Sequence, residues 1–251
     1  MSRFTRKIAV MGGGSWATAL AKLLLENCDR IVWYMRRPDR IDTFRQLGHN
    51  PAYLSDVEFP IDRIDFYSDI NAACRAADML LMAMPSPYFK EHLAKLTVDI
   101  SDKCIVIATK GIVPDENELI SDYMESRYGV DPHKVIVVSG PCHAEEVALG
   151  RLSYLTVACG DVDRAIDFTS ALNGKAMKTL VSTDVRGIEY AGVLKNVCAI
   201  ASGIVHGMKS GDNFQAILIS NAVREMRRFL DVAVPGGRDI DDSVYLGDLL
   251  V

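Results

Sequence analysis

Short hydrophobic runs rich in β-branched residues alternate with helix-type periodicity through most of the chain. The runs that predict β-strands are 7–11, 31–35, 65–67, 79–84, 104–108, 135–138, 154–158 and 178–181. The segments that predict helices between them are 16–27, 69–77, 87–95, 117–128 and 161–172. Because strands that alternate with helices form sheets covered on both faces, we predict an α/β fold with a doubly wound, mostly parallel sheet.

The pattern changes after Asp184, where only helical segments follow. Residues 188–205 are apolar around most of a helical circumference, so we expect a helix that is buried on all sides. Residues 213–230 are amphipathic. We therefore divide the chain into an α/β domain, residues 1–184, and a C-terminal all-α domain, residues 185–251. The chain ends in an apolar run, which favours an incomplete helical domain.

A glycine-rich turn follows the first predicted strand and opens the first predicted helix. It reads G-x-G-x-x-A through Gly12, Gly14 and Ala17. The first glycine permits a tight turn, the second lets the backbone approach a pyrophosphate, and the alanine allows the helix to pack closely. Amide groups at the start of the helix can then bind the phosphates. The motif predicts a Rossmann-like dinucleotide-binding domain; a turn without a ligand is the alternative.

The end of the second strand carries two arginines, Arg36 and Arg37, where such domains commonly have an acidic residue. An acidic side chain binds the ribose 2′-hydroxyl of NAD, whereas arginine suits the 2′-phosphate of NADP. The pattern therefore favours NADPH over NADH. Two alternatives remain open, a solvated loop and a guanidinium stacked on adenine.

Ligands of open parallel sheets bind beyond the carboxyl ends of the strands. Three loops of small and turn-forming residues are predicted at that edge: 84–87, 108–111 and 138–145. Lys110 lies in the second of these loops, where its positive charge suits an anionic substrate. An ordinary surface lysine is the alternative reading.

Lys195 interrupts the otherwise apolar helix 188–205. A lysine is rarely buried without a partner, and burial favours its neutral form, which makes it a candidate proton donor or acceptor. Reduction of a carbonyl group needs such a proton together with a hydride. The alternative is a structural lysine paired with Glu189 or with a backbone carbonyl. The adjacent Asn196 is suited to orient substrate hydroxyl groups.

Composition narrows the functional class. The net charge of −5 provides no basic surface for nucleic acid or for a membrane. Charged and polar residues within 187–207 argue against a membrane span. The six cysteines are scattered without a CxxC motif, which indicates a reduced, cytoplasmic setting. The histidines lack metal-ligand spacing and no Ser-His-Asp arrangement is visible, so we expect neither a metal nor a covalent nucleophile.

Six segments occur in an informative order: GGGSWATALA, MPS, ATKG, SGPCHAEEV, KNVCAIASGIVHGMKSGDN and GDL. Together they resemble the bacterial type of NAD(P)-dependent glycerol-3-phosphate dehydrogenase. The resemblance implies reversible reduction of dihydroxyacetone phosphate to sn-glycerol 3-phosphate, with NADPH or NADH as cofactor. This reaction would supply glycerophospholipid synthesis. A homodimer is compatible with this reading.

The resemblance also assigns roles to individual residues. It implies that the cofactor is contacted by Ser15, Trp16, Arg36, Tyr53, Lys110 and Ala144. It implies that the substrate is contacted by Lys110, Gly140, Cys142, Lys195 and Asp248. Lys195 would be the proton acceptor in alcohol oxidation, and Asp248 would bind the substrate or orient Lys195.

Two departures from the family pattern bear on the substrate. Cys142 stands where the family usually has serine or threonine, and a thiol is the weaker hydrogen-bond donor. Members of the family also continue past GDL to a Ser-Arg-Asn segment that helps to hold the substrate phosphate and the cofactor. That segment does not occur in this sequence.

Two other hypotheses stay open from the sequence. One is a dehydrogenase of the β-hydroxy acid type, which also combines a Rossmann-like domain with a helical domain and pairs lysine with asparagine. The other is a non-catalytic dinucleotide-binding module, for example a redox sensor. A panel of substrates separates the first from glycerol-3-phosphate dehydrogenase, and tight NADPH binding without turnover would support the second.

Overall fold

A computed structural model describes residues 4–250. Its strands are β1 (Ile8–Met11), β2 (Ile31–Tyr34), β3 (Ile64–Tyr67), β4 (Met79–Met82), β5 (Cys104–Ile107), β6 (Ile112–Val113), β7 (Glu118–Leu119), β8 (Val135–Ser139), β9 (Ser153–Cys159) and β10 (Met177–Ser182). Its α-helices are α1 (Ser15–Asn27), α2 (Pro38–Leu47), α3 (Ile70–Arg75), α4 (Ser86–Leu93), α5 (Ile120–Tyr128), α6 (Ala144–Ala148), α7 (Val162–Leu172), α8 (Val185–Gly207), α9 (Asp212–Ala233) and α10 (Asp248–Leu250). A π-helical turn, Ser243–Gly247, precedes α10.

Eight strands form one sheet in the order β10-β9-β8-β5-β4-β1-β2-β3. Neighbouring strands are parallel except β8 and β9, which are antiparallel. The prediction of an α/β, Rossmann-like, mostly parallel sheet followed by a helical region is confirmed. The chain leaves β1 in one direction through β2 and β3, then returns to place β4 on the other side of β1. This reversal opens a crevice at the carboxyl ends of β1 and β4, where ligands of such sheets bind.

The sheet separates two hydrophobic clusters. Val10 and Trp33 point into the cluster covered by α1, α2, α6 and α7. Ala9 and Met11 point into the other cluster, which α3, α4, α5 and the first part of α8 cover. Both faces of the central strands are therefore buried, which explains why these strands are apolar at every position.

Helix α2 and the start of α5 differ from the sequence prediction. Helix α2 was not expected, because it buries only Ile41 and Phe44 and so has little hydrophobic periodicity. It begins with Pro38 in its first turn and ends at Gly48, whose φ of +75° suits glycine. The predicted helix 117–128 begins only at Ile120, because the preceding residues form the small antiparallel pair of β6 and β7.

The expectation that residues 188–205 are buried on all sides was wrong. Burial in α8 is confined to its first part, and the side chains of Val197, Ile200 and Ile204 are 64%, 67% and 58% exposed. An apolar helix without a polar face has side chains that can all be buried. Which of them are buried depends on the elements that pack against the helix. By length and composition alone, α8 would also be able to cross a membrane.

Asp184 caps the N-terminus of α8 by accepting a hydrogen bond from the backbone N–H of Gly187 at 3.1 Å. Only helical elements follow it within the described residues, in agreement with the sequence pattern. A domain boundary at residue 184 stays a prediction.

Candidate active site

The glycine-rich turn connects β1 to α1 at the carboxyl edge of the sheet. Gly12 has a φ of +136°, and a Cβ atom there would lie 2.9 Å from the carbonyl oxygen of Ala83. Only glycine fits this position without displacing the backbone. Around Gly14, by contrast, no described atom lies within 4 Å of where a Cβ atom would be. The turn is therefore tight on its inner side and open toward the cleft.

The N-terminus of α1 is suited to an anionic group. Gly14 is its N-cap residue, and within residues 4–250 no side chain caps this terminus and no acidic residue lies in its first turn. The first amide groups of a helix have no partner within the helix and lie at the positive end of its dipole. Within the same described range, the indole Nε1 of Trp16 is buried without a hydrogen-bond partner. These donors fit a dinucleotide bound across the turn.

One side of the turn opens into a cleft of about 240 Å³. Its lining includes Gly12, Gly14, Arg36, Arg37, Arg40, Tyr53 and His92. Arg36 Nη1 lies 3.4 Å from Glu91 Oε1, and both side chains are half exposed. Arg37 donates from Nε to Asp39 Oδ1 at 3.1 Å. Arg40 was missed by sequence reasoning, because its position in the first turn of α2 is visible only once that helix is recognised.

The other side of the turn opens into a cleft of about 410 Å³. This cleft brings together residues from several elements and loops, including Gly14, Ser15, Trp16, Met84, Lys110, Cys142, Ala144, Lys195 and Asn196. The loops predicted at the carboxyl edge of β4, β5 and β8 thus contribute to one cleft, together with the middle of α8. The two clefts share Gly14 and Met84, so they are continuous around the glycine-rich turn.

Two lysines converge on one carboxylate at the inner end of the second cleft. The Asp248 side chain is almost completely buried and forms ion pairs with the ammonium groups of Lys110 and Lys195. Lys110 Nζ lies 3.1 Å from Asp248 Oδ2 and 3.4 Å from Oδ1. Two cations and one anion leave a net positive charge in a partly buried site. Such a site attracts an anionic ligand.

The charge state of Lys110 reflects this environment. Burial lowers its pKa below the ordinary lysine value, the nearby Lys195 ammonium lowers it further, and Asp248 opposes both effects. The Lys110 ammonium is therefore held in place by the Asp248 carboxylate. Loss of that carboxylate would make Lys110 easier to deprotonate.

Glu189 is not the partner of Lys195, so that alternative was wrong. Its carboxylate lies on another side of α8, where it accepts hydrogen bonds from the backbone N–H of Ser121 at 3.1 Å and from the Ser121 hydroxyl. The true partner, Asp248, is distant in sequence and reaches Lys195 only through the fold.

The loop after β8 forms the wall opposite α1. Gly140 has a φ of +149°, and a Cβ atom there would lie 2.6 Å from the carbonyl oxygen of Tyr154. The Sγ atom of Cys142 lies 3.2 Å from the same carbonyl oxygen and donates to it. Burial raises the pKa of the Cys142 thiol to about 11, so this group is neutral near pH 7. A neutral thiol is a weak nucleophile and a weak hydrogen-bond donor.

The two clefts are together lined by all the sequence-predicted site residues except Gly140 and Asp248, which line neither. Gly12, Arg36 and Tyr53 line the first cleft, whereas Ser15, Trp16, Lys110, Cys142, Ala144 and Lys195 line the second. Gly140 precedes the Cys142 wall, and Asp248 lies beneath the two lysines. Among residues 4–250, no group of three or more His, Cys, Asp or Glu side chains is arranged to hold a metal ion.

Comparison with known proteins decides the family. Residues 7–165 match the model of the NAD-dependent glycerol-3-phosphate dehydrogenase N-terminus. Residues 184–251 match the model of the C-terminus of the same family. The chain belongs to the NAD-dependent glycerol-3-phosphate dehydrogenase family.

A glycerol-3-phosphate dehydrogenase [NAD(P)+] of Ectopseudomonas mendocina is 37% identical over 88% of this chain and 64% of its own length. The enzyme of the same name from Lysinibacillus sphaericus is 35% identical over 98% of this chain and 73% of its own length. The crystal structure of glycerol-3-phosphate dehydrogenase from Coxiella burnetii superposes with a TM-score of 0.88 at 30% identity, over 98% of this chain and 75% of that one. The chain therefore spans roughly two thirds to three quarters of these relatives.

Proposed function

We propose that this protein interconverts dihydroxyacetone phosphate and sn-glycerol 3-phosphate with NADPH or NADH. The observation that carries the proposal is the convergence of Lys110 and Lys195 on the buried Asp248, beside an open glycine turn. One end of this surface offers amide donors to a pyrophosphate, and the other offers cationic groups to a small anionic substrate. Membership of the family supports the same reaction.

The chemistry requires a hydride and a proton. When bound, NAD(P)H would supply the hydride that the carbonyl carbon of dihydroxyacetone phosphate requires. The Lys195 ammonium donates the proton to the carbonyl oxygen, and the same amine accepts it from the hydroxyl group in the reverse direction. Asp248 holds Lys195 at the cleft by an ion pair. The C=O bond thereby becomes an H–C–O–H unit, so atoms and charge balance.

The second lysine, Lys110, stabilises negative charge on the substrate and does not transfer the proton. Lys110 shares Asp248 with Lys195, and the excess positive charge favours the phosphate ester and the developing alkoxide. Gly140 and Cys142 shape the facing wall. The neutral Cys142 thiol donates weakly, so we assign it a steric role and a minor hydrogen-bonding role beside the substrate.

The cofactor is assigned to the surface around the glycine turn. Gly12 and Gly14 allow close approach of the backbone, and the amides of Ser15 and Trp16 at the uncapped start of α1 would hold the pyrophosphate. Ala144 and Lys110 lie toward the nicotinamide end. Arg36 and Tyr53 lie in the cleft assigned to adenosine, and Arg36 favours NADPH because a 2′-phosphate is a stronger partner than the half-exposed Glu91.

The direct test is the loss of NADPH absorbance after dihydroxyacetone phosphate is added to the purified protein. The Lys195→Ala variant is the catalytic control, and Lys175→Ala, an exposed lysine outside both clefts, is the matched control. Oxidation that needs Lys195 but not Lys175 supports the proposal. Oxidation with β-hydroxy acids instead would favour the related dehydrogenase class. Tight NADPH binding without oxidation of any substrate would favour a sensor module.

The proposed reaction also suggests a cellular compartment for the protein. We place it in the cytoplasm, where the product would feed glycerophospholipid synthesis, and its six cysteines are free thiols in agreement with a reducing compartment.

We also propose a homodimer, because Val197, Ile200, Phe214 and Ile217 expose apolar side chains on α8 and α9. Light scattering coupled to size exclusion would measure the mass, and a monomer at micromolar concentration would refute the dimer.

A further inference from the structure

A second cluster of charged and polar groups lies at the base of the helical region, away from both clefts. Its centre is the Asp184 carboxylate. Oδ2 accepts hydrogen bonds from Arg238 Nε at 2.7 Å and from the Tyr245 hydroxyl at 2.6 Å. Oδ1 accepts from the Gly187 backbone N–H at 3.1 Å and from Arg238 Nη2 at 3.2 Å. Both carboxylate oxygens are thereby engaged by groups from separate segments of the chain.

The cluster is largely buried, although the Asp184 side chain is 17% exposed. The side chain of Arg238 is 6% exposed and the Tyr245 residue 2%. Burial by itself would raise the pKa of Asp184, but the hydrogen bonds from Arg238 and Tyr245 outweigh it and keep the pKa below the ordinary value. Asp184 is therefore charged near pH 7. Removing one partner of a buried charge is destabilising, because that charge is then left without full compensation.

Space around the carboxylate is restricted as well. A Cβ atom on Gly187 would lie 2.1 Å from Asp184 Oδ2, so the helix start accepts only glycine while the carboxylate keeps this position. Arg238 also donates from Nη2 to the carbonyl oxygen of Val234 at 2.6 Å, which ties the end of α9 to the same point. The segment between α9 and the π-helical turn is thus anchored at Arg238, and the turn itself is anchored at Tyr245.

The two anchored elements are those that carry the paired groups of the candidate active site. Asp184 caps α8, and Lys195 lies further along that helix. Tyr245 belongs to the π-helical turn Ser243–Gly247, and Asp248 follows that turn directly. A shift of the turn against α8 would therefore move the Asp248 carboxylate relative to both lysines.

We propose that the Asp184–Arg238–Tyr245 cluster positions Asp248 against Lys195 and Lys110. The three residues are positioning residues, since none of them lines the second cleft. This inference rests on the proposed function, because it gives the cluster a role in setting the site that performs the reaction. The position of Asp248 relative to the two lysines can be measured without turnover.

The experiment compares how fast individual lysine amines react with a limiting amount of acetic anhydride, measured by peptide mass spectrometry. The amine reacts only when neutral and accessible. Lys175 is exposed and serves as the internal reference. The test variant is Tyr245→Phe, which removes the hydroxyl but keeps the ring. The matched control is Tyr123→Phe, a buried tyrosine on α5 that bonds to Tyr128 outside both clefts.

In the Tyr245→Phe protein we expect labelling of Lys110 to rise about tenfold relative to Lys175, because the Lys110 amine loses its proton more readily when the Asp248 carboxylate is displaced. The direction follows from the site, because Asp248 opposes the loss of the Lys110 proton. Tyr123→Phe should leave the ratio unchanged. Asp248→Asn should raise it at least as much as Tyr245→Phe. Where turnover is measurable, Tyr245→Phe should lower kcat without changing the KM for NADPH.

An unchanged Lys110 ratio in folded Tyr245→Phe, while Asp248→Asn raises it, would overturn the positioning role and leave the cluster a structural one. If Asp248→Asn does not raise the ratio, the pairing on which the inference depends is itself disproved. Arg238→Lys, which keeps the charge but not the paired contacts, provides the same readout should Tyr245→Phe fail to fold. A protein that labels as expected but does not oxidise NADPH would refute the proposed reaction alone.

Discussion

Glu189 offers a sharp test of how α8 is held against the sheet domain. The carboxyl group is buried between α8 and the first turn of α5, where Ser121 donates from its backbone N–H at 3.1 Å and from its hydroxyl. Burial raises the pKa of Glu189 from its ordinary value of 4.5 to about 7, although the bonds from Ser121 and the start of α5 partly oppose the shift. The perturbation is Glu189→Gln, which keeps the shape and removes the titration.

The sign follows from linkage between protonation and folding. Because the pKa is higher in the folded state, folding favours the protonated carboxyl group. The stability that this group contributes is present below about pH 4.5 and is lost as the pH rises through about 7. The full difference of pKa corresponds to about 3 kcal/mol at about 1.4 kcal/mol per unit. Between pH 5 and pH 8 we expect the wild type to lose about 2 to 3 kcal/mol relative to Glu189→Gln.

The assay is urea unfolding at pH 5 and pH 8 for the wild type and the variant, with Glu125→Gln as a control at an exposed glutamate on α5. The wild type should lose free energy of unfolding relative to Glu189→Gln as the pH rises. Glu125→Gln should follow the wild type at both values. A wild-type minus Glu189→Gln difference that stays constant from pH 5 to pH 8 would refute the reasoning, since an ordinary pKa leaves little to titrate in this range.

Other substitutions test the candidate site. Lys195→Ala should lower kcat by roughly 10² to 10⁴ while NADPH binding, followed by tryptophan fluorescence, stays near wild type; loss of folding instead would remove the catalytic assignment. Arg36→Ala should weaken NADPH about tenfold or more and NADH much less, because only NADPH carries the 2′-phosphate; equal weakening in calorimetry would indicate stacking on adenine. Gly12→Ala should destabilise the fold by about 1 to 3 kcal/mol in denaturant unfolding, because its φ of +136° and the Ala83 carbonyl oxygen at 2.9 Å leave no room; an unchanged midpoint would contradict that strain.

Much of the sheet domain could be predicted from local patterns. The strand at 31–35 is apolar at successive positions because both faces of β2 are buried, and this signal lies within a few residues. The glycine-rich turn was recognisable for the same reason, since Gly12, Gly14 and the start of α1 are consecutive. Helix α2 was missed because it buries only two side chains, so its periodicity is too short to separate from a loop.

The candidate site was predictable as a set of residues but not as a set of contacts. Lys195 stood out as a charge in an apolar helix, yet Glu189, one of the two partners considered for a structural lysine, bonds to Ser121 instead. Within α8 both are near neighbours in sequence, but they lie on different sides of the helix. Arg40 was missed together with the helix that carries it. The Asp184–Arg238–Tyr245 cluster gave no sequence signal, because its members belong to three separate segments.

The sequence by itself determined the alternation of strands and helices, the glycine-rich turn and the family motifs. Each of these signals depends only on residues that are close together in the sequence. Only the tertiary structure decided that Asp248 pairs with Lys110, 138 positions away, and that much of α8 stays exposed. Burial and ion pairing depend on which elements pack together. No local periodicity contains that information. The family resemblance implied that Asp248 binds the substrate or orients Lys195, but the pairing of Lys110 with the same carboxylate became visible only in the folded chain.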